Sequence, residues 1–505
     1  MTEIAARPAA RWPRQVARVL LTLYFRRVEV TGLETLPAGR GGLLLAWHPN
    51  GLIDPALILA TFPGRVVFGA RHGLFRWPLL GALLRATAVP IFRRQDLPAG
   101  GDEAAARRGN DASLAALAGA IAAGSFAVLF PEGDSHDEPR PLELRTGAAR
   151  LWLDAAARAP AAERPHLVPV GLHYDRKRLF RSRALVEYHP PLDLGTEPPV
   201  GPADEAERRE AARRLTGRFA EVLDRTVLAT ADWQEHHLMH RLRRLMRAER
   251  AARAGEAAGP VDMRERRLGF ARVWTAFRER RASAPAEVAR VRELLTAYDR
   301  RLRRLGLEDH ELDRDPDLPH GRMLAALAVQ RVAIDTLLPP LVAIGVLANL
   351  PTALAIELAV RAAARRRKDV ATIKLLLGAV LFPATWLLLG LFAGWGQGFV
   401  HDLYPEIPHL PWLTGAVAFL LSALGGALVV VWGRVSRRFG RGLVVLGKRR
   451  IARAAIRRRL AERAAIFDAA SALAAGLDLP GRVGPGGRIV EREPAPTGPG
   501  SPPLP

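Results

Sequence analysis

Residues 46–55 read AWHPNGLIDP and set a histidine, His48, six positions ahead of an aspartate, Asp54. An imidazole beside a carboxylate is a general base with an orienting partner. The carboxylate fixes the ring's tautomer and stabilises the imidazolium that forms when a proton is taken. Such a base suits removal of a proton from an alcohol during acyl transfer. By itself a His and an Asp in one loop is a common accident of sequence.

Three further stretches add functional groups. VPIFRR puts Arg93 and Arg94 at a strand end, where a guanidinium holds a phosphate bidentately. LFPEGDSHDEPRPLELRTGAAR (129–150) reads as a strand running into Pro131-Glu132-Gly133, then a polar loop, then a helix. Glycine there admits a ligand close to the backbone, and Glu132 accepts hydrogen bonds from hydroxyls. His136 in the same loop reads as a surface residue. LVPVGLHY carries Pro169, an apolar wall lacking one N–H.

The elements that must position these groups alternate between 27 and 195. RVEVTGL, GGLLLAW, RVVFGA, AVPIFRR, SFAVLFPEG and HLVPVGLHY are predicted strands. DPALILATF, WPLLGALLRA, DASLAALAGAIAAG and RTGAARLWLDAAARA are the helices between them. The alternation predicts an α/β domain with a largely parallel sheet and its chemistry on the connecting loops.

The ordered set of His48 with Asp54, Arg93, FPEG and VPV resembles the glycerophospholipid acyltransferase family, which includes glycerol-3-phosphate and 1-acylglycerol-3-phosphate acyltransferases. The resemblance covers roughly residues 20 to 195. It implies His48 as general base and Asp54 as its relay, with Arg93 holding the glycerol phosphate. It further implies that Glu132 and Gly133 bind the acceptor, that Arg145 and Gly147 of LRTG border the same pocket, and that Pro169 lines the acyl side. The family commonly has four residues between His and Asp where this chain has five, and Asp134 stands where a threonine or serine is frequent. The implied activity moves a fatty acyl group from acyl-CoA or acyl carrier protein, as co-substrate, to a phosphorylated glycerol acceptor. It needs no further cofactor and no metal. Two alternatives stand beside it: an inactive lipid-binding homologue acting as a membrane scaffold, and an acyltransferase for a non-phosphorylated acceptor.

Composition bounds the rest. The 505 residues carry a formal net charge of +23 and no cysteine, which excludes disulfides and a thiolate nucleophile. The positive charge invites anionic lipid or phosphorylated small molecules. Nucleic acid is discounted, because the charge sits beside apolar segments and no nucleic-acid motif is present. EHHLMH (235–240) spaces His236 and His240 one helical turn apart without an acidic or cysteine partner, so it reads as a plain helix face.

The expected organisation is an acyltransferase domain over 1–200 with an N-terminal interfacial helix, and a charged helical arm over 201–330. A membrane module follows over 331–440, then a basic amphipathic helix over 441–480 and a disordered tail over 481–505. Residues 375–395 and 412–432 each supply ~20 uncharged residues, enough to cross a bilayer core. Basic flanks put both outer ends of that pair, and the catalytic domain, in the cytoplasm, and the high Arg, Ala and Pro content suggests a bacterial source and so the inner membrane. The run 335–360 contains Asn349 and Pro351 and is expected to form a re-entrant hairpin of two half-helices.

Overall fold

The computed structural model describes residues 11–37, 39–92, 102–159, 164–194, 204–256, 258, 261–313, 329–333, 335–336, 338–363 and 369–491. They fall into two compact units: Met1–His236 with Arg365–Thr372, and His237–Ala364 with Ile373–Pro505.

The first unit is built on a seven-stranded sheet. Its strands are β1 (Phe25–Thr31), β2 (Gly42–Ala46), β3 (Val66–Arg71), β4 (Ala88–Ile91), β5 (Phe126–Val128), β6 (His166–Tyr174) and β7 (Ser182–Tyr188), in spatial order β1-β7-β6-β2-β5-β3-β4. Five strands run parallel, and the antiparallel β6–β7 pairing turns β7 and β1 the other way. Its helices are α1 (Arg11–Tyr24), α2 (Ile53–Thr61), α3 (Pro78–Thr87), α4 (Glu103–Ala122), α5 (Gly147–Ala156) and α6 (Glu205–Val227). Leu43, Leu45, Val67, Ala127 and Leu167 of the sheet pack with Leu117, Ile121, Leu151 and Trp152 of α4 and α5. All six strands and four helices read from the alternating pattern are present. Strand β7 was not anticipated, because SRALVEY follows directly on the basic turn RKRLFR.

Helix α6 belongs to this unit and not to the arm in which 201–330 placed it. Ala212, Leu215, Phe219 and Leu223 bury one stripe of it in the sheet's core, and Asp204 caps its first turn through Glu207 N–H.

The second unit holds α7 (Trp233–Arg253, which begins just inside the first unit), α8 (Met263–Ser283), α9 (Pro285–Leu305), α10 (Leu338–Ala363), α11 (Asp369–Leu403, whose first turn, through Thr372, belongs to the first unit), α12 (Pro411–Ile451) and α13 (Arg453–Leu473). Three of these are long and apolar enough to cross a membrane, over Val342–Ala362, Val370–Leu403 and Pro411–Ile451.

In the stretch expected to be re-entrant, residues Leu338–Ala363 are one helical run with Pro351 in its interior. Asn349 does not make a turn. Its Nδ2 donates to Gly345 O (2.8 Å) and to Ser422 O on α12 (2.9 Å), and its Oδ1 accepts from Trp386 Nε1 on α11 (2.9 Å). Its amide is thus satisfied inside the bundle, where a broken backbone would leave donors unpaired.

The basic helix α13 is also not a free interfacial helix. Ile456 and Ile466 join Leu245, Leu295, Tyr298, Leu302 and Val445 in one core. Arg463, 1% exposed, is bound by Glu249 and Asp313. Nor is the start of the tail without structure. Strands β8 (Arg482–Val483) and β9 (Ile489–Val490) form a small hairpin, held by Arg247 on Gly486 O, Arg250 on Gly487 O and Arg272 on Gly481 O. Burial, with Arg272 and Arg247 nearby, pushes the Arg250 guanidinium down to about 10.

Candidate active site

Parallel strands deliver their C-terminal ends to one edge of a sheet, and polar groups collect there. His48 lies two residues past β2, Glu132 four past β5, and Tyr174 is the last residue of β6. Asp54 sits in the first turn of α2, 0% exposed.

The extra residue between His48 and Asp54 is absorbed by a turn. Gly51 takes φ +43, Ile53 N–H bonds Asn50 O (3.0 Å), and Asn50 N–H returns to Asp54 Oδ2 (2.6 Å). His48 Nδ1 then lies 2.8 Å from Asp54 Oδ2, so Nδ1 is the protonated nitrogen when the ring is neutral. Phe130 stacks on the imidazole with centroids 4.0 Å apart and planes 10° from parallel. The other ring nitrogen, Nε2, has no hydrogen-bond partner among the described residues, and the side chain is 17% exposed.

The backbone of His48 is clamped on both sides. Its N–H donates to Glu132 Oε2 (2.7 Å) and its carbonyl accepts from His136 N–H (3.0 Å). Glu132 Oε1 takes His136 Nε2 (2.6 Å) and Leu142 N–H (3.1 Å). The Glu132 carboxylate, read as a receiver of acceptor hydroxyls, is therefore engaged by three protein donors and buried. His136 is buried beside it, not on the surface. Lys177 Nζ donates to Pro49 O (2.9 Å) and pairs with Asp137, which holds the outer side of the loop.

Gly133 has φ +69, and a Cβ there would lie 2.8 Å from Arg145 Nε, so the guanidinium lies against this glycine. Arg145 N–H also donates to Pro131 O (2.8 Å). Gly147 begins α5. Pro169 is buried within β6 opposite Leu45, with its carbonyl taking His189 N–H (3.0 Å). Arg93 lies outside the described residues. The structure thus brings His48, Asp54 and Glu132 together directly, and Gly133 with Arg145 beside Glu132. Sequence reasoning missed Tyr174, whose hydroxyl donates to Asp54 Oδ1; the only trace of it is an aromatic at the end of a strand.

The loop is also tied to a segment far along the chain. Leu52 N–H donates to Thr372 Oγ1 (3.2 Å), in the first turn of α11, whose uncharged run begins three residues later. Among the described residues no group of three or more His, Asp or Glu is placed to hold a metal ion, and His240 packs its ring on Phe270.

A family model described as Acyltransferase matches residues 27–173, from β1 to the end of β6. Over these residues the chain is thus similar to acyltransferases, glycerol-3-phosphate O-acyltransferases among them. An acyltransferase of Schizosaccharomyces pombe, described as uncharacterized, is 24% identical over 59% of this chain and 54% of its own length. Glycerol-3-phosphate O-acyltransferase 2 of Saccharomyces cerevisiae is 28% identical over 36% of this chain and 23% of its own. Lyso-ornithine lipid O-acyltransferase of Rhizobium meliloti is 28% identical over 42% of this chain and 68% of its own. The chain thus spans about half of the first of these relatives and less of the second. The acyltransferase PlsC of Thermotoga maritima covers 42% of this chain at 19% identity, with a TM-score of 0.28.

Proposed function

We propose that the chain is a membrane-bound O-acyltransferase that transfers a fatty acyl group from a thioester to a hydroxyl of a glycerolipid precursor. The observation that carries this is the His48–Asp54 pair with its second ring nitrogen free at the strand edge. His48 Nε2 takes the proton of the acceptor hydroxyl as its oxygen adds to the thioester carbonyl. The tetrahedral intermediate collapses with cleavage of the C–S bond, and the proton passes from the imidazolium to the departing thiolate. Acyl-CoA or acyl carrier protein is the donor and needs no further cofactor, because a thiolate is a good leaving group. Asp54 fixes the tautomer and Glu132 holds His48 in place. Arg93 and Arg145 supply the positive charge for an acceptor phosphate, Gly133 and Gly147 border the acceptor, and Pro169 lines the acyl side.

The relatives' names divide the acceptors into glycerol-3-phosphate and lyso-ornithine lipid, so the acceptor is what an assay must name. Detergent-purified protein given radiolabelled acyl-CoA is offered glycerol-3-phosphate, 1-acylglycerol-3-phosphate and lyso-ornithine lipid in parallel. A phosphate-containing product is expected. Acylation of lyso-ornithine lipid alone would favour a non-phosphorylated acceptor, and silence with every acceptor and with acyl carrier protein would favour the scaffold reading.

The membrane topology is part of the same reading. Helices α11 and α12 run antiparallel, with Trp386 against Phe419, Gly390 against Gly415 and Gly394 against Pro411. The first half of α10 also runs antiparallel to α12. Arg331, just before it, lies over Phe439, Gly345 touches Gly425, and Asn349 bonds Ser422. Beyond Pro351, Glu357 pairs with Lys374 near the start of α11 (3.0 Å). At 1.5 Å per residue a straight α10 would carry Glu357 roughly 27 Å past that lysine. The helix therefore bends at Pro351, where one backbone donor is missing, and turns back.

Parity agrees. Leu245 and Tyr298 before the module and Ile456 and Ile466 after it share one core, so the number of crossings is even. We take α11 and α12 as the two spans and α10 as re-entrant. The basic flanks and the catalytic unit then face the cytoplasm, and Asp402 and Glu406 face outward. The absence of native cysteine makes the test direct. Val332→Cys and Ala363→Cys should label with an impermeant maleimide from the cytoplasmic side only, and Glu406→Cys from the other. Labelling of Val332→Cys from the Glu406→Cys side would make α10 a third span.

A further inference from the structure

Asp54 is completely buried, and one bond to His48 does not replace the water its carboxylate gave up. Oδ2 takes His48 Nδ1 and Asn50 N–H, while Oδ1 is met by the hydroxyl of Tyr174. That hydroxyl is the one partner of Oδ1 among the described residues. Tyr174 ends β6, one residue beyond the stretch that the family model matches. Its ring stacks on Phe25, centroids 6.1 Å apart, so the sheet fixes where the hydroxyl points.

We propose that Tyr174 is a positioning residue of the transfer reaction: its hydroxyl holds Asp54 Oδ1, aims Oδ2 at His48 Nδ1, and so keeps Nε2 turned to the acceptor. The proposal rests on the reading of His48 as the base. Burial, and then the charge of Asp54, push the Tyr174 phenol well above its ordinary 10. The phenol therefore keeps its proton and donates throughout the range in which an imidazole titrates. The other charged groups of the loop act elsewhere. Glu132 holds the His48 main chain, His136 holds Glu132, and Lys177 with Asp137 holds the Pro49 carbonyl.

Removing the hydroxyl leaves one oxygen of a buried carboxylate without a donor. The uncompensated charge grips the imidazolium more tightly, so the base gives up its proton only at higher pH. The test compares wild-type full-length protein in detergent with Tyr174→Phe and with Tyr188→Phe. Tyr188 has a buried hydroxyl too, bonded to Thr61 (2.8 Å) and not to Asp54. His48→Ala and the His48→Ala/Tyr174→Phe pair complete the cycle, with thiol release followed from about pH 5 to 9.

Tyr174→Phe should lower kcat about tenfold, leave KM within about twofold, and move the acid limb of kcat/KM up by about half a pH unit. Tyr188→Phe should leave that limb in place, and the double variant should be no slower than His48→Ala. If Tyr174→Phe does not fold, 3,5-difluorotyrosine at 174, a stronger donor, should move the limb to lower pH. An unshifted limb, or an equal shift in Tyr188→Phe, overturns the positioning role while leaving the base intact. Wild-type turnover in His48→Ala would instead remove the base, and this proposal with it.

Discussion

The two units bury charge in opposite ways. In the second, Arg463 meets Glu249 and Asp313 while Arg241 meets Asp299 and Asp309, and Tyr298 adds its hydroxyl to Asp309 (3.0 Å). The carboxylates carry the Arg463 guanidinium above its ordinary value although burial works against it. In the first unit, Asp54 is as saturated as those carboxylates, but its partner His48 keeps one nitrogen free and partly open to solvent. A group such as Arg463, whose three nitrogens are all hydrogen-bonded, can only hold a shape. A group left open at a single atom, with its others fixed, can pass a proton.

Breaking the open pair should cost activity and leave the fold. His48→Ala should reduce turnover about 10³-fold, and Asp54→Asn about 10²-fold through the wrong tautomer, with melting temperatures close to wild type. Breaking the closed network should do the reverse. Arg463→Ala takes away the guanidinium that Asp313 and Glu249 share, leaving Glu249 with Arg253, and should cost about 3–5 kcal/mol of stability, seen by chemical denaturation, while the protein that stays folded turns over normally. Glu132→Gln sharpens the contrast inside the site. If the carboxylate is a strut for His48, kcat falls about tenfold with KM nearly unchanged; a KM rise for the acceptor would return it to substrate binding.

The smallest effect concerns His166 at the start of β6, which burial and then Arg40 hold below the ordinary histidine value of 6.5. A histidine depressed on folding binds its proton more readily when unfolded. Its contribution is therefore present above the unfolded value and is lost as pH falls through the window below it. His166→Gln should flatten the decline of stability between about pH 7 and 5, measured by denaturation at each pH.

The same contrast explains what was legible in the chain. Strand and helix periodicity in 27–174 is strong because both faces of the sheet are covered, so six strands and the edge carrying His48, Glu132 and Arg145 could be read directly. β7 was hidden behind a basic turn. Tyr174 was hidden because its partner, Asp54, is 120 residues away and only the β2–β6 pairing brings them together. In the second unit, charge along α13 suggested a surface helix, whereas Arg463 closes a buried network. A charged residue gives no sign in sequence of whether its partner lies across a core or in solvent.

The absence of cysteine makes the central claim directly measurable, since a thiol reagent sees only the thiol released from acyl-CoA. Release should require the acceptor and fall about 10³-fold in His48→Ala, while Arg463→Ala, assayed where it remains folded, keeps its rate. Acceptor-dependent release that survives His48→Ala would contradict the account, because the open nitrogen would then not be the group that takes the proton.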